Sequence, residues 1–318
     1  RYRYNTLSGA QQKAKGNGYE GAMFAWESAS TGVETTPKWA DTGEYEHHIT
    51  GDIALANWQY YLATLDREWL EKYGYPIIYE TAEYWASRVI YNPQRDRYEI
   101  RGVICADEYS GVVDNNAFTN AVAQKNLYIA IEVCKLLNKP YPSEWKTIAL
   151  KMFFPFDEVG EKYLEFEGYA GQQIKQADID LMAYPLEFSM SEEVKANDLD
   201  YYTKVFDVNG PAMSSSLYSI VSAELGRREE AYELYVRSYK PNVKPPFYAF
   251  SETPTNNNFC FLTGIGGSLQ SLIYGFAGLR IHERGLAFTP LLPKEWDQLK
   301  LKNFKFRGAS YDIVVKKG

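Results

Sequence analysis

The sequence predicts a mainly α scaffold, such as a helical barrel, followed by a small β-domain. Three observations carry this. Over most of the chain, runs with helical apolar spacing alternate with loops. The runs come in pairs spaced like helical hairpins. After Gly278 the pattern changes to short alternating stretches separated by turns, which is the signature of strands.

In chain order, the helical pattern covers 4–17, 50–65, 76–91, 115–138, 142–151, 173–183, 193–207, 211–224, 228–239 and 264–276. Thr50, ahead of Gly-Asp and an apolar-periodic run, reads as one helix start, and Ser143 with Glu144 as another. Few strands are visible before the end. Leu279-Arg-Ile-His282, Leu286-Ala-Phe-Thr-Pro290, Leu299 to Gly308 and Tyr311-Asp-Ile-Val-Val315 then read as strands and turns. The expected division is a helical catalytic part over 1–279 and a β-domain over 280–318.

A chain of 318 residues can bury one large core plus a small second domain. Its net charge of -7, with Lys and Arg scattered rather than striped, argues against a nucleic-acid surface. No apolar run approaches a membrane span, and no compartment is legible. Cys105, Cys134 and Cys260 have no metal-type spacing, and three histidines do not support a His-rich metal site. The unusual feature is 27 Tyr and 7 Trp, whose flat faces and polar edges suit sugars.

Two acidic segments carry the chemistry. Gly102-Val-Ile-Cys-Ala-Asp-Glu-Tyr109 offers Glu108 after a strand-like run, and Phe250-Ser-Glu-Thr-Pro254 offers Glu252 before a Thr-Pro-Thr-Asn-Asn-Asn loop. A glycosidase needs one carboxyl to protonate the leaving oxygen and another to act on the opposite face of the sugar. Among 41 acidic residues most are solvated surface, so it is the loop setting that selects these two. Thr263-Gly-Ile-Gly-Gly-Ser268 invites a nucleotide-binding reading, but it lacks the GxGxxG spacing, a preceding strand and a P-loop Lys.

Several blocks together resemble glycoside hydrolase family 65. They are Lys13 to Ser28, Glu46-His-His-Ile-Thr-Gly-Asp-Ile-Ala54, Asp107-Glu-Tyr109 with Asp114-Asn-Asn116, Ile174-Lys-Gln-Ala-Asp178, and Phe261 to Gln270. The resemblance implies an (α/α)6 barrel portion followed by a small C-terminal β-domain. It assigns Glu108 as general acid, and Lys175 and Gln176 as partners of hydroxyls on the glucosyl unit. It also places Trp26 and Glu27 in the pocket lining and matches His48 to the His ahead of Gly-Asp. In the family a Trp-Asp block that grips the same glucosyl unit lies upstream of Lys13, and the chain does not contain it. The expectation is therefore a C-terminal part of a longer enzyme, with the N-terminal part as a separate or cleaved companion chain.

The family holds phosphorylases and hydrolases. A phosphorylase leaves one side of the sugar to inorganic phosphate, which a carboxylate would repel. A hydrolase needs a base there, and Glu252 fits that need. The segment resembles the hydrolase branch, which includes acid trehalases, glucosylgalactosyl-hydroxylysine glucosidases and kojibiose hydrolases, and looks closest to the last. The expected function is an inverting exo-α-glucosidase acting on a small α-glucoside, kojibiose first, with glucose as product. Glu108 would be the acid and Glu252 the base, with no metal or cofactor. The rivals are a disaccharide phosphorylase of the same family and a non-catalytic carbohydrate-binding protein.

Overall fold

The structure is a computed structural model that describes residues 1–317. It is mainly helical, with short strand pairs and a strand-rich C-terminal region. The chain divides into two compact units. One holds Arg1–Phe156 with Tyr163–Tyr169, and the other Asp157–Lys162 with the chain from Ala170 onward.

The first unit is built on helices Ile49–Thr64, Tyr75–Arg88, Ala117–Leu137 and Glu144–Leu150. Trp85, Trp145, Tyr84, Ile77, Ile78 and Leu127 are fully buried among them. Each large apolar side chain buried this way contributes roughly 1.5–3 kcal/mol. The longest helix has its ends written in the sequence. Asn116 accepts the Thr119 N–H at 2.7 Å as N-cap, and Asn138 closes the other end in the left-handed conformation at φ 56°. Gly51 allows a close crossing, because a Cβ there would meet Val122 Cγ1 at 2.0 Å.

The strand-like run before Glu108 is a strand, Val103–Ile104, paired antiparallel with Val112–Val113. A second hairpin pairs Ile90–Asn92 with Arg97–Glu99, so the helix expected over 76–91 ends at Arg88. Thr50 does not open its helix. The cap position is His48, and the Thr50 hydroxyl instead accepts the Phe24 N–H at 3.1 Å. Ser143 is an N-cap by position but makes no side-chain capping bond.

The second unit carries helices Glu192–Val205, Ser214–Glu224, Arg228–Tyr239 and Leu262–Gln270, the last running into a π-helical turn, Ser271–Phe276. Ser191 caps the first by accepting the Val194 N–H at 3.1 Å, with Glu192 and Glu193 in the first turn. The expected helix over 173–183 is a correction: only Asp180–Ala183 is helical. Ile174 instead lies extended beside Phe206, its N–H bonded to Val205 O at 3.1 Å. Past Gly278 the chain forms antiparallel pairs Leu279–His282 with Gly285–Phe288 and Gln298–Phe306 with Ala309–Lys316. Phe276, Ala277, Leu292 and Val315 pack with Ala223 and Ala231, and Trp296 meets Phe276 edge-on at 5.1 Å.

Candidate functional site

In the first unit, Gly21 at φ 66° lays the following segment against helix Tyr75–Arg88, where any Cβ would strike Glu80 O. Ala22 N–H bonds that carbonyl at 2.8 Å. Ala22, Met23, Phe24 and Ala25 are buried, so the run emerges with Trp26 half-buried and Glu27 exposed. Glu34 holds this emergence from below. Its carboxylate accepts the Trp26 N–H at 2.8 Å and the Glu27 N–H at 3.1 Å, and Lys13 Nζ lies 2.5 Å away. Burial alone would raise the Glu34 carboxyl, but hydrogen bonds from Lys13, Thr36 and the Trp26 amide outweigh it and hold it below its ordinary value.

His48 is buried beside Trp26, with ring centroids 5.3 Å apart, and 5.2 Å from the Phe118 ring. Nδ1 bonds Asp52 at 2.7 Å and Nε2 bonds Glu46 at 3.0 Å. Burial opposes its charge, yet the Asp52 charge and the two carboxylate bonds push it up to about 10, so it is an imidazolium donating on both sides. His47, next in the chain, is the reverse. Burial and the Arg88 charge push it down to about 3. Its Nδ1 accepts from Tyr84 OH at 2.9 Å and Arg88 Nε at 3.3 Å, and Nε2 donates to Glu44 O at 2.8 Å.

Arg88 continues from His47 to the foot of the Glu108 loop, donating to the carbonyls of Arg101 and Gly102. Beyond strand Val103–Ile104, buried Asp107 accepts the Tyr109 N–H at 3.1 Å and so turns the chain into a single 3-10 turn, Glu108–Ser110. Glu108 is therefore half-buried at the tip of a pinned loop. Downstream, Asn115 accepts the Ile100 N–H at 3.2 Å and donates to Glu167 at 2.7 Å, which fixes the exit.

In the second unit, Lys175 is half-buried and Gln176 buried on the extended segment beside Phe206. Ala177 N–H bonds Ser214 Oγ at 2.9 Å. The turn that starts at Asp207 links this segment to the Glu252 loop: Asp207 N–H bonds Ile174 O at 2.7 Å, and Ala212 N–H bonds Glu252 O at 2.8 Å. Buried Asn242 donates to the carbonyls of Ser251 and Glu252 at 3.0 and 3.1 Å. Glu252 Oε2 accepts from Asn258 Nδ2 at 2.8 Å and Asn256 Nδ2 at 3.4 Å.

The structure thus brings Trp26, Glu27 and His48 together within one unit, which also holds Glu108, and joins Lys175 and Gln176 to Glu252 within the other. The supporting roles of Lys13, Glu34, Arg88 and Asn242 are found only in three dimensions. The Asn-rich loop after Glu252 is the one that left a trace in the sequence.

The model of the glycosyl hydrolase family 65 central catalytic domain matches residues 1–173 and 161–246, and that of the family's C-terminal domain matches 279–318. The chain is 42% identical over 318 residues to a protein-glucosylgalactosylhydroxylysine glucosidase of Dictyostelium discoideum, across 98% of this chain and 45% of that protein. It is 44% identical over 303 residues to a kojibiose hydrolase of Flavobacterium johnsoniae, across 94% of this chain and 44% of that protein. A solved structure described as "Putative kojibiose phosphorylase from human microbiome" matches with a TM-score of 0.81 at 21% identity, over 99% of this chain and 51% of that one. That last likeness is one of fold. The chain spans about half the length of the curated relatives it matches.

Proposed function

We propose that this chain, which belongs to glycosyl hydrolase family 65, supplies the acid and base of an inverting exo-α-glucosidase that releases glucose from a small α-glucoside, kojibiose first. Glu108 protonates the departing glycosidic oxygen, and Glu252 takes the proton of the attacking water. Trp26, Glu27 and His48 line the sugar pocket, while Lys175 and Gln176 bond hydroxyls of the glucosyl unit. A cationic His48 held by two carboxylates presents a fixed ring rather than a titrating one over the neutral range.

The observation that carries the hydrolase reading is the Glu252 carboxylate. Asn258 and Asn256 both engage Oε2, so Oε1 keeps its lone pairs for a water. A carboxylate so held repels phosphate, the nucleophile a phosphorylase needs in that role. The relatives named as a kojibiose hydrolase and as a glucosylgalactosylhydroxylysine glucosidase support the same branch.

The test is product analysis on the full-length protein with kojibiose, with and without inorganic phosphate. Free β-glucose as first product, independent of phosphate, is expected. Phosphate-dependent glucose 1-phosphate would assign the phosphorylase instead, and initial α-glucose would remove the inverting assignment.

A further inference from the structure

Glu34 stands outside every block assigned to the chemistry, yet its carboxylate collects five hydrogen bonds. Besides Lys13, Trp26 N–H and Glu27 N–H, it accepts the Thr36 N–H at 3.2 Å and the Thr36 hydroxyl at 2.6 Å. The Trp26 and Glu27 amides belong to the two peptide planes that flank the Trp26 Cα. A single carboxylate that grips both, Oε2 on one and Oε1 on the other, fixes φ and ψ of Trp26 together. Among the described residues the Trp26 N–H has no other acceptor. The ends of the loop are tied by Thr35 N–H to Glu27 O at 2.9 Å and the Ser28 to Glu34 bridge, and its middle by Gly32 N–H to Ala29 O at 3.2 Å and by the Tyr2 hydroxyl, which bonds Ser28 Oγ and donates to Ala29 O.

Lys13 completes the device. From helix Leu7–Gly16 it reaches both the Glu34 carboxylate and Gly43 O, the latter at 2.8 Å. Gly43 lies in the short helix Thr42–Tyr45 that leads into Glu46, His47 and His48. One ammonium thus ties the segment bearing Trp26 to the segment bearing His48, whose rings meet. We infer that Glu34, fixed by Lys13, is the positioning residue that sets Trp26 and Glu27 against the glucoside. The inference rests on the proposed pocket role of those two residues.

Glu34→Gln keeps the shape but turns one acceptor oxygen into an amide donor, so one of the gripped N–H groups is left facing a donor. In the full-length protein acting on kojibiose, it is expected to raise KM about tenfold, with kcat changed far less and the melting temperature nearly unchanged. Lys13→Met, which leaves the backbone grip in place, should raise KM by less. Trp26→Ala is measured alongside. If Trp26→Ala raises KM and Glu34→Gln does not, the positioning role is overturned while the pocket reading stands. If Trp26→Ala leaves KM unchanged, the pocket reading fails and takes the positioning role with it. Should Glu34→Gln not fold, Thr36→Val, which removes the hydroxyl that donates to Glu34 and accepts the Glu27 N–H at 3.2 Å, carries the test with Lys13→Met. A KM rise in that pair supports the inference, and unchanged KM in both overturns it.

Discussion

Asn258 donates from Nδ2 to Glu252 Oε2 at 2.8 Å, and with Asn256 on the same oxygen the carboxylate's side-chain contacts fall on Oε2. Among the described residues Oε1 has no hydrogen-bond partner, so it can accept a proton from water without first breaking a protein contact. Glu252→Gln keeps the size and can keep the Asn258 contact through its amide oxygen, but it is no base. Hydrolysis of kojibiose is expected to fall by about 10²–10⁴-fold, while the dissociation constant for glucose, read by titration calorimetry, changes little. A variant that retains near-parental turnover would remove Glu252 from the mechanism.

Glu108 sits on a turn braced by the Asp107 cap and by Arg88 at the strand foot, which holds the proposed acid in a fixed position. Acid catalysis matters most when the leaving oxygen is basic. Glu108→Gln is therefore expected to cost far more on kojibiose than on an aryl glucoside whose phenolate leaves without help. The comparison of kcat/KM for the two substrates checks this. Equal losses on both would mean that Glu108 is not the acid.

Much of the scaffold is legible because local chemistry and tertiary packing agree. Asn116 and Asn138 bracket the helix Ala117–Leu137, within two residues of the span expected from apolar spacing. Where they disagree, the sequence misleads. Ile174, Ala177 and Leu181 are spaced like one face of a helix, but backbone pairing of Ile174 with Val205 and Asp207 holds the start of that stretch extended. Thr50 has the composition of a cap, yet its hydroxyl is used across the chain by Phe24 N–H. The same limit applies to the site. Glu108 and Glu252 stand out because polar loops surround them, whereas Glu34, in Thr31-Gly-Val-Glu-Thr-Thr36, reads as solvated loop until the amides that converge on it are seen.

The adjacent imidazoles set opposite pH limits on stability. His48 is held up at about 10 in the folded chain against an unfolded value near 6.5. Its contribution is full below about pH 6.5 and is lost as pH rises toward 10, because there the folded state keeps a proton that the unfolded chain releases. His47, held down at about 3, contributes above about pH 6.5 and loses that contribution as pH falls toward 3. Melting temperature plotted against pH should flatten on its alkaline limb in His48→Gln and on its acid limb in His47→Asn. Limbs as steep as the parent's would contradict the assigned protonation states.

Asp180 supplies the sharpest stability test. It opens the short helix Asp180–Ala183, it is 2% exposed, and among the described residues neither of its carboxylate oxygens has a hydrogen-bond partner. Burial, with the nearby Asp178 charge, pushes its carboxyl up to about 7 from an ordinary value of 3.8. Between those values the folded chain holds a proton that the unfolded chain releases, so stability falls as pH rises through that window. Above it the folded state carries an unpaired buried anion, which is costly. Asp180→Asn removes the ionisation and keeps the volume. At pH 8 the variant is expected to be more stable than the parent by on the order of 1 kcal/mol or more, and at pH 4 the difference should nearly vanish. Urea unfolding at the two pH values measures both. A variant that is less stable than the parent at pH 8 would mean that the ionised carboxylate is stabilised in the fold and that Asp180 has a partner there.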